Sequence, residues 1–297
     1  MHIIDETMKY FSTKLKFFGV DVAILSENSK LIDRINYIFR YYLTYDRETQ
    51  IWFRVSIVKN AVKNPILADD GLLTNGAALI EYSYDSVNYH SWFFEDTFLP
   101  PLQIPPLAGK YLVLHGCAIR VCNQTALIIA PSFGGKTMLV YHAVKNGAKC
   151  ITDDIIFLDN NTIIPYKKPV GIRDTNHEAI KDLKAVKGLF PLVLMNPLHQ
   201  VTHLIHLDDL FEHAYYEEKS SIDWIIVPDK NSVGSPVEME MYSLHQALLG
   251  SLCNSGYDRE RLPLALFDVT SSIKGALYLP TKELDKAYLQ LLNHISQ

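Results

Sequence analysis

The sequence lacks nearly everything that marks an exported, membrane-spanning or nucleic-acid-binding chain. It has four cysteines, Cys117, Cys122, Cys150 and Cys253, and no C-x-x-C pair. Four scattered thiols in 297 residues make neither a disulfide framework nor a zinc site, so free thiols in a reducing compartment are expected. No apolar run approaches the ~20 residues that a membrane helix needs, so no membrane span is expected. No Lys/Arg run is present and the net charge is −5, which argues against nucleic acid and anionic lipid as partners. The start, Met1-His-Ile-Ile-Asp-Glu-Thr, has no basic lead, no apolar core and no small-residue cleavage site, so a cytoplasmic protein is expected. Internal repeats and low-complexity segments are missing too.

What is present is a globular composition, 48% hydrophobic and 21% charged. The length exceeds what one compact core usually needs. Val20–Leu25 reads as a strand, Lys30–Tyr42 as a helix, Ile51–Val58 as a strand, and Ala77–Phe94 as one or two more. Residues 1–98 therefore read as a small α+β domain. Its aromatic residues, such as Trp52, Phe53 and Tyr82, read mainly as cross-strand packing. Four prolines between Leu99 and Leu107 forbid helix and central strand and mark a boundary.

A second domain, 108–297, has a different pattern. Tyr111–Val121 reads as a strand, Asn123-Gln124 as a tight turn, and Thr125–Ala130 as a strand buried on both faces. Gly135–Lys145 reads as a helix closed by Asn146-Gly147, and Cys150–Leu158 as another strand. Helices are expected over Asn176–Lys187, over Ser243–Leu252 and from Thr281 as N-cap, with strands at Trp224–Val227 and Ala276–Leu279. Strand, Gly-containing loop, helix, strand is the grammar of nucleotide-binding α/β units.

The sharpest signal is Ala130-Pro131-Ser132-Phe133-Gly134-Gly135-Lys136-Thr137. It matches G-x-x-x-x-G-K-[ST] except that Ala130 stands at the first position, which is tolerable if φ there stays negative. Backbone N–H groups of such a loop, with the helix N-terminus, bind phosphate oxygens. Ser132, Gly134, Gly135, Lys136 and Thr137 are the expected nucleotide-binding residues. Lys136 supplies a cation at the terminal phosphates, and the Thr137 hydroxyl can ligate Mg²⁺. Asp153-Asp154 follows Lys136 by seventeen residues, enough for the second strand to return beside the loop. Two carboxylates beside a Mg-nucleotide can divide into proton acceptor and metal or His support. His115 and Gly116 lie on the strand before the hairpin.

Together these segments resemble the HPr kinase/phosphorylase superfamily, in His115-Gly116, Gly135-Lys136-Thr137, Asn146-Gly147-Ala148 and Thr152-Asp153-Asp154. The resemblance covers residues 110–160 well and the rest in outline. It implies an α/β (α+β) nucleotide-binding core with a P-loop, related to PEP carboxykinases, behind the small α+β domain. It implies a kinase that uses ATP and Mg²⁺ to phosphorylate a serine of a peptide or small protein. The chain looks more like the shorter members associated with peptide modification, some of which are similar to kinases of the C-terminal serine of a lasso-type precursor. The resemblance makes Asp153 the base, Asp154 a support for His115 or a Mg²⁺ ligand with Thr137, and Arg173 a further catalytic cation. It also implies a homo-oligomer. Phe133 stands where the family has Gly, and the family's Mg-binding Glu has no clear counterpart, with Asp174 and Glu178 as candidates. The rival classes are a nucleotide-binding regulator without transfer and a small-molecule or PEP-carboxykinase-like phosphotransferase.

Overall fold

The structure, a computed structural model, describes residues 10–45, 49, 51–58, 68–72, 78–85, 104, 107, 109–189, 191–195, 201–253 and 257–296. The strand reading over 86–94 and most of the proline-rich segment lie outside the described residues. Two compact units are present: residues 1–106 with 192–202, and residues 107–191 with 203–297.

The first unit holds a five-stranded sheet, order β1-β2-β3-β5-β4. β1 (Phe11–Phe17) and β2 (Val20–Ser26) form a hairpin closed by Phe18 and Gly19, both at positive φ. β1 escaped the sequence reading because Thr13 takes one of its buried positions and blurs the apolar alternation. α1 (Ser29–Ile38) starts at Asn28, whose side chain accepts from the Leu31 amide, and it buries Leu31, Ile32, Ile35 and Ile38. It stops at Ile38, and a 3₁₀ turn over Arg40–Tyr42 replaces the last expected turn. β3 (Ile51–Val58), β4 (Ala68–Leu72) and β5 (Ala78–Asp85) complete the sheet, with β2–β3 and β3–β5 parallel. β12, as numbered along the whole chain, is Leu192–Met195 and also belongs to this unit.

The second unit is a mixed α/β fold. Its strands are β6 (Leu112–Val121), β7 (Gln124–Ile129), β8 (Lys149–Thr152), β9 (Ile155–Asp159), β10 (Thr162–Ile164) and β11 (Val170–Arg173), then β14 (Ser220–Ser221), β15 (Trp224–Asp229), β16 (Val237–Glu238) and β17 (Gly275–Pro280); β13 (Val201–Ile205) runs across the division between the units. The main sheet has the order β14-β10-β9-β6-β7-β15-β17-β16, with β8 also pairing β6. β7, β15 and β17 run parallel, and the rest is antiparallel. The helices are α2 (Lys136–Lys145), α3 (His177–Ala185), α4 (Met241–Gly250), α5 (Leu262–Ser271) and α6 (Leu284–Ile295). Leu127 and Ile129 of β7 pack with Leu244, Leu248, Leu266 and Val269 from α4 and α5. α2 packs on β6 and α6. A strand with helices on both faces must be apolar throughout, as Thr125–Ala130 reads. Among the described residues, no helix is long and apolar enough to cross a membrane.

Four expectations need correction. The hairpin turn is Cys122-Asn123, not Asn123-Gln124, because a two-residue turn here puts both central residues at positive φ, and these are the two that have it. The Cys150–Leu158 strand is two strands, broken at Asp153-Asp154, where Asp154 adopts φ 70°. Thr281 is not the N-cap of α6: that position is Glu283, and the Thr281 amide bonds Asp229 O instead. α5 is an added helix; Pro263 in its first turn, where proline fits, hid it from a search for uninterrupted helical periodicity.

Candidate phosphate and carboxylate site

One strand brings the two motifs together. Gly116 of β6 faces Ile129 of β7 on one side, and its amide bonds Asp154 O on the other. The loop that leaves β7 and the break between β8 and β9 therefore flank the same point, two strand spacings or roughly 10 Å apart. A Cβ at Gly116 would sit 2.8 Å from Ile128 O and 2.9 Å from Ile156 Cδ1, so only glycine lets both neighbours close in. Along Val113–His115, past the end of β7, the segment 251–253 borders β6: Ser251 O accepts from the His115 amide and the Cys253 amide bonds Val113 O.

The loop has the tight form its glycines predict. The Gly134 amide bonds Pro131 O at 3.0 Å, and a Cβ on Gly134 would lie 2.6 Å from Ala130 Cβ. Gly135, at φ 89°, is the residue that opens α2. Ala130 keeps a negative φ, so the missing first glycine is not required. Phe133 holds φ 66° with an exposed ring, and the Arg173 guanidinium lies 3.9 Å over that ring. Arg173 thus reaches the tip of the loop. The first amides of α2 have no intrahelical partner, as at every helix start, and they open onto this loop. Ser132 is exposed on it.

Lys136 is buried and folded back on the loop. Its Nζ donates to Ala130 O at 2.7 Å and Pro131 O at 3.1 Å, and lies 3.0 Å from His115 Nε2. An ammonium can only donate, so Nε2 accepts and the ring proton is assigned to Nδ1. Nδ1 then donates to the Asp154 backbone oxygen at 3.1 Å, with the carboxylate Oδ1 3.2 Å away. The other carboxylate oxygen, Oδ2, is 2.9 Å from Lys168 Nζ. The result is a linear chain, Lys136–His115–Asp154–Lys168.

Asp153 faces another way. It is 3% exposed, and its Oδ1 accepts from Cys117 Sγ at 2.8 Å and from Thr137 Oγ1 at 3.2 Å. Thr137 therefore lies against Asp153, whereas the metal pair expected from the sequence was Thr137 with Asp154. Burial, then the Asp154 charge, pushes the Asp153 carboxyl above the usual range. Burial also works on Asp154, but the Lys168 ammonium and His115 hold its carboxyl well below that range. Burial lowers Lys136, against the raising charges of Cys117, Asp154 and Asp153. Burial and Asp153 drive the Cys117 thiol well up, so it is a thiol donor and not a thiolate.

The oxygens of Thr137 and Asp153 fit Mg²⁺, a hard ion that takes a carboxylate and completes its shell with phosphate and water. Among the described residues, no three His, Cys, Asp or Glu side chains are grouped to hold a metal without such help. Asp174 and Glu178 are engaged elsewhere, with His203 at 2.6 Å and Lys145 at 3.1 Å. Lys168 was missed in the sequence because Lys167-Lys168 before a proline looks like a solvated pair. Neither lysine fits that description: Lys168 is 7% exposed, and Lys167, half-buried, bonds the exposed Glu217.

No family model matches the chain, and no curated protein does. Among solved structures, the chain is similar to the Hpr(Ser) kinase/phosphatase from Coxiella burnetii, with 14% identity, 62% of this chain and 95% of that chain covered, and a TM-score of 0.33.

Proposed function

We propose that the chain is an ATP- and Mg²⁺-dependent kinase that phosphorylates a serine-type hydroxyl of a peptide or small protein. The observation that carries the reading is the hydrogen bond from Thr137 Oγ1 to Asp153, which joins the phosphate-type loop to the carboxylate pair across sixteen residues of sequence. A binding loop alone would need no second carboxylate held at its mouth by a histidine and a lysine. The C-terminal serine of a lasso-type precursor is the acceptor that the sequence resemblance suggests.

The two carboxylates divide the work by exposure. Asp153, buried against Thr137, would hold Mg²⁺ with that hydroxyl, and the bound ion would neutralise charge on the transferring phosphoryl group. Asp154, whose side chain is 37% exposed, can be reached by an incoming hydroxyl. This exchanges the roles that the resemblance implies. The acceptor oxygen bonds to the γ-phosphorus as the bond from that phosphorus to the β–γ bridging oxygen breaks. ADP leaves and the hydroxyl proton passes to Asp154. Phosphoryl transfer makes small demands on a base, because its transition state is loose, so a strongly ionised carboxylate suffices to orient the hydroxyl. Lys136, released from Ala130 O and Pro131 O, would meet the terminal phosphates. Arg173, over the Phe133 ring, would join it from the loop tip.

The test is incubation of the purified protein with ATP, Mg²⁺ and a panel of serine-terminated peptides and HPr, read by mass spectrometry for added phosphate. A phosphorylated acceptor with the wild type, and none with Lys136→Ala, is expected. No transfer to any acceptor while ATP still binds would favour the regulator.

A further inference from the structure

Lys168 lies outside every motif in the sequence, yet the fold goes to some length to place it. Tyr166 N bonds Ile151 O, and Tyr166 bridges Thr152 in parallel, so the segment runs along the end of β8. The Tyr215 hydroxyl then donates to Lys168 O at 3.0 Å, and Pro169 fixes the chain beyond. The side chain that leaves this pinned backbone is 7% exposed. Burying a lysine costs rotamer freedom and hydration, and a residue with only a packing task has no use for the charge. Its target, Asp154, sits at φ 70°, a conformation uncommon for a side-chain-bearing residue and typical of functional sites. Lys168 Nζ donates to Asp154 Oδ2 at 2.9 Å, while His115 Nδ1, bonded to the Asp154 backbone oxygen at 3.1 Å, lies 3.2 Å from Oδ1. The bond from Lys168 fixes the carboxylate, with the imidazole bordering its other oxygen. Each oxygen keeps a lone pair free of these contacts, on a side chain that solvent still reaches.

We propose that Lys168 is a positioning residue, which locks the Asp154 carboxylate in the orientation that receives the acceptor hydroxyl. The inference rests on the phosphotransfer reading and adds a residue to it. Lys136 cannot do this task, because its ammonium is held by loop carbonyls and is needed at the phosphates. His115 bonds the backbone oxygen of Asp154 and so does not by itself hold the carboxylate.

The test uses the full chain with MgATP and whichever acceptor the wild type phosphorylates. Lys168→Met is expected to lower kcat about 100-fold, the low end of what a positioned acid–base group contributes. The Kd for MgATP is expected to stay within about twofold, since the lost interaction acts on the acceptor side. Lys168→Arg keeps the charge and is expected to recover part of kcat. In an Asp154→Asn background, Lys168→Met is expected to add no further loss, a coupling that a merely structural lysine would not show. Thermal melts check that each variant folds, and Lys168→Gln replaces Met if that one does not. A second readout needs no turnover: the Lys168 ammonium is expected as a slowly exchanging ¹H–¹⁵N signal that Asp154→Asn abolishes. Unchanged kcat in a folded Lys168 variant, or additive losses in the double variant, would overturn the role of Lys168 and leave the kinase reading standing. Absence of transfer by the wild type would overturn both.

Discussion

At the scale of single residues, two neighbouring aspartates have opposite surroundings. Asp153 meets a hydroxyl and a thiol in a buried slot, and Asp154 meets an imidazole and an ammonium at the surface of the site. A carboxyl whose pKa is raised on folding favours the native state only while protonated. That contribution is complete below the unfolded value, near ~3.9, and is lost as pH rises through the folded value. Without nucleotide or divalent ion, wild type is therefore expected to lose stability relative to Asp153→Asn as pH rises from about 4 to 8. Melting temperatures across that range check it. A constant difference between the two proteins would mean that Asp153 is not buried as described. The sequence made the pair, Lys136 and Thr137 legible through residue type and spacing, and His115 mostly through the resemblance. Which carboxylate faces which partner was not legible. That depends on the break at φ 70° and on Lys168, which comes from a segment with no motif.

At the scale of elements, the site is a loop and a strand break held to either side of β6. The loop's shape depends on Gly134, where a Cβ would strike Ala130 Cβ at 2.6 Å and Pro131 O at 2.9 Å. Both contacts are with the same loop, so the backbone must shift. Gly134→Ala is expected to cost about 1–3 kcal/mol of local strain and to weaken MgATP binding by tenfold or more, as followed by calorimetry. Retention of affinity would show that the loop adapts freely. The strong elements, β7, α2 and α6, were readable from apolar runs and helical periodicity. The weak ones were not. β1 and α5 hide a threonine or a proline in the pattern, and β10, β14 and β16 are two or three residues long, too short to carry a period. Their pairing is decided by neighbours distant in sequence, as when Ser220 meets Ile163.

At the scale of the whole molecule, the candidate-site residues named here all lie in the second unit. The carboxyl end of β7 lies in the parallel run β7-β15-β17, where open α/β sheets bind ligands, and the antiparallel half of the sheet supplies the aspartates. The mixture of the two strand directions explains why residues from both halves converge at Gly116. The alternation of strand and helix made a mixed α/β fold readable, but the mixed sheet order was not, because strand order follows long-range pairing that local patterns do not encode. The claim that joins these scales is the division of labour between the two aspartates. Its most direct test measures MgATP binding and phosphoryl transfer side by side in Asp153→Asn and Asp154→Asn. The account predicts that Asp153→Asn weakens the Mg²⁺-dependent part of nucleotide binding, and that Asp154→Asn keeps nucleotide affinity and lowers transfer at least about 100-fold. Normal Mg²⁺-dependent binding in Asp153→Asn, or normal transfer by Asp154→Asn, would contradict it.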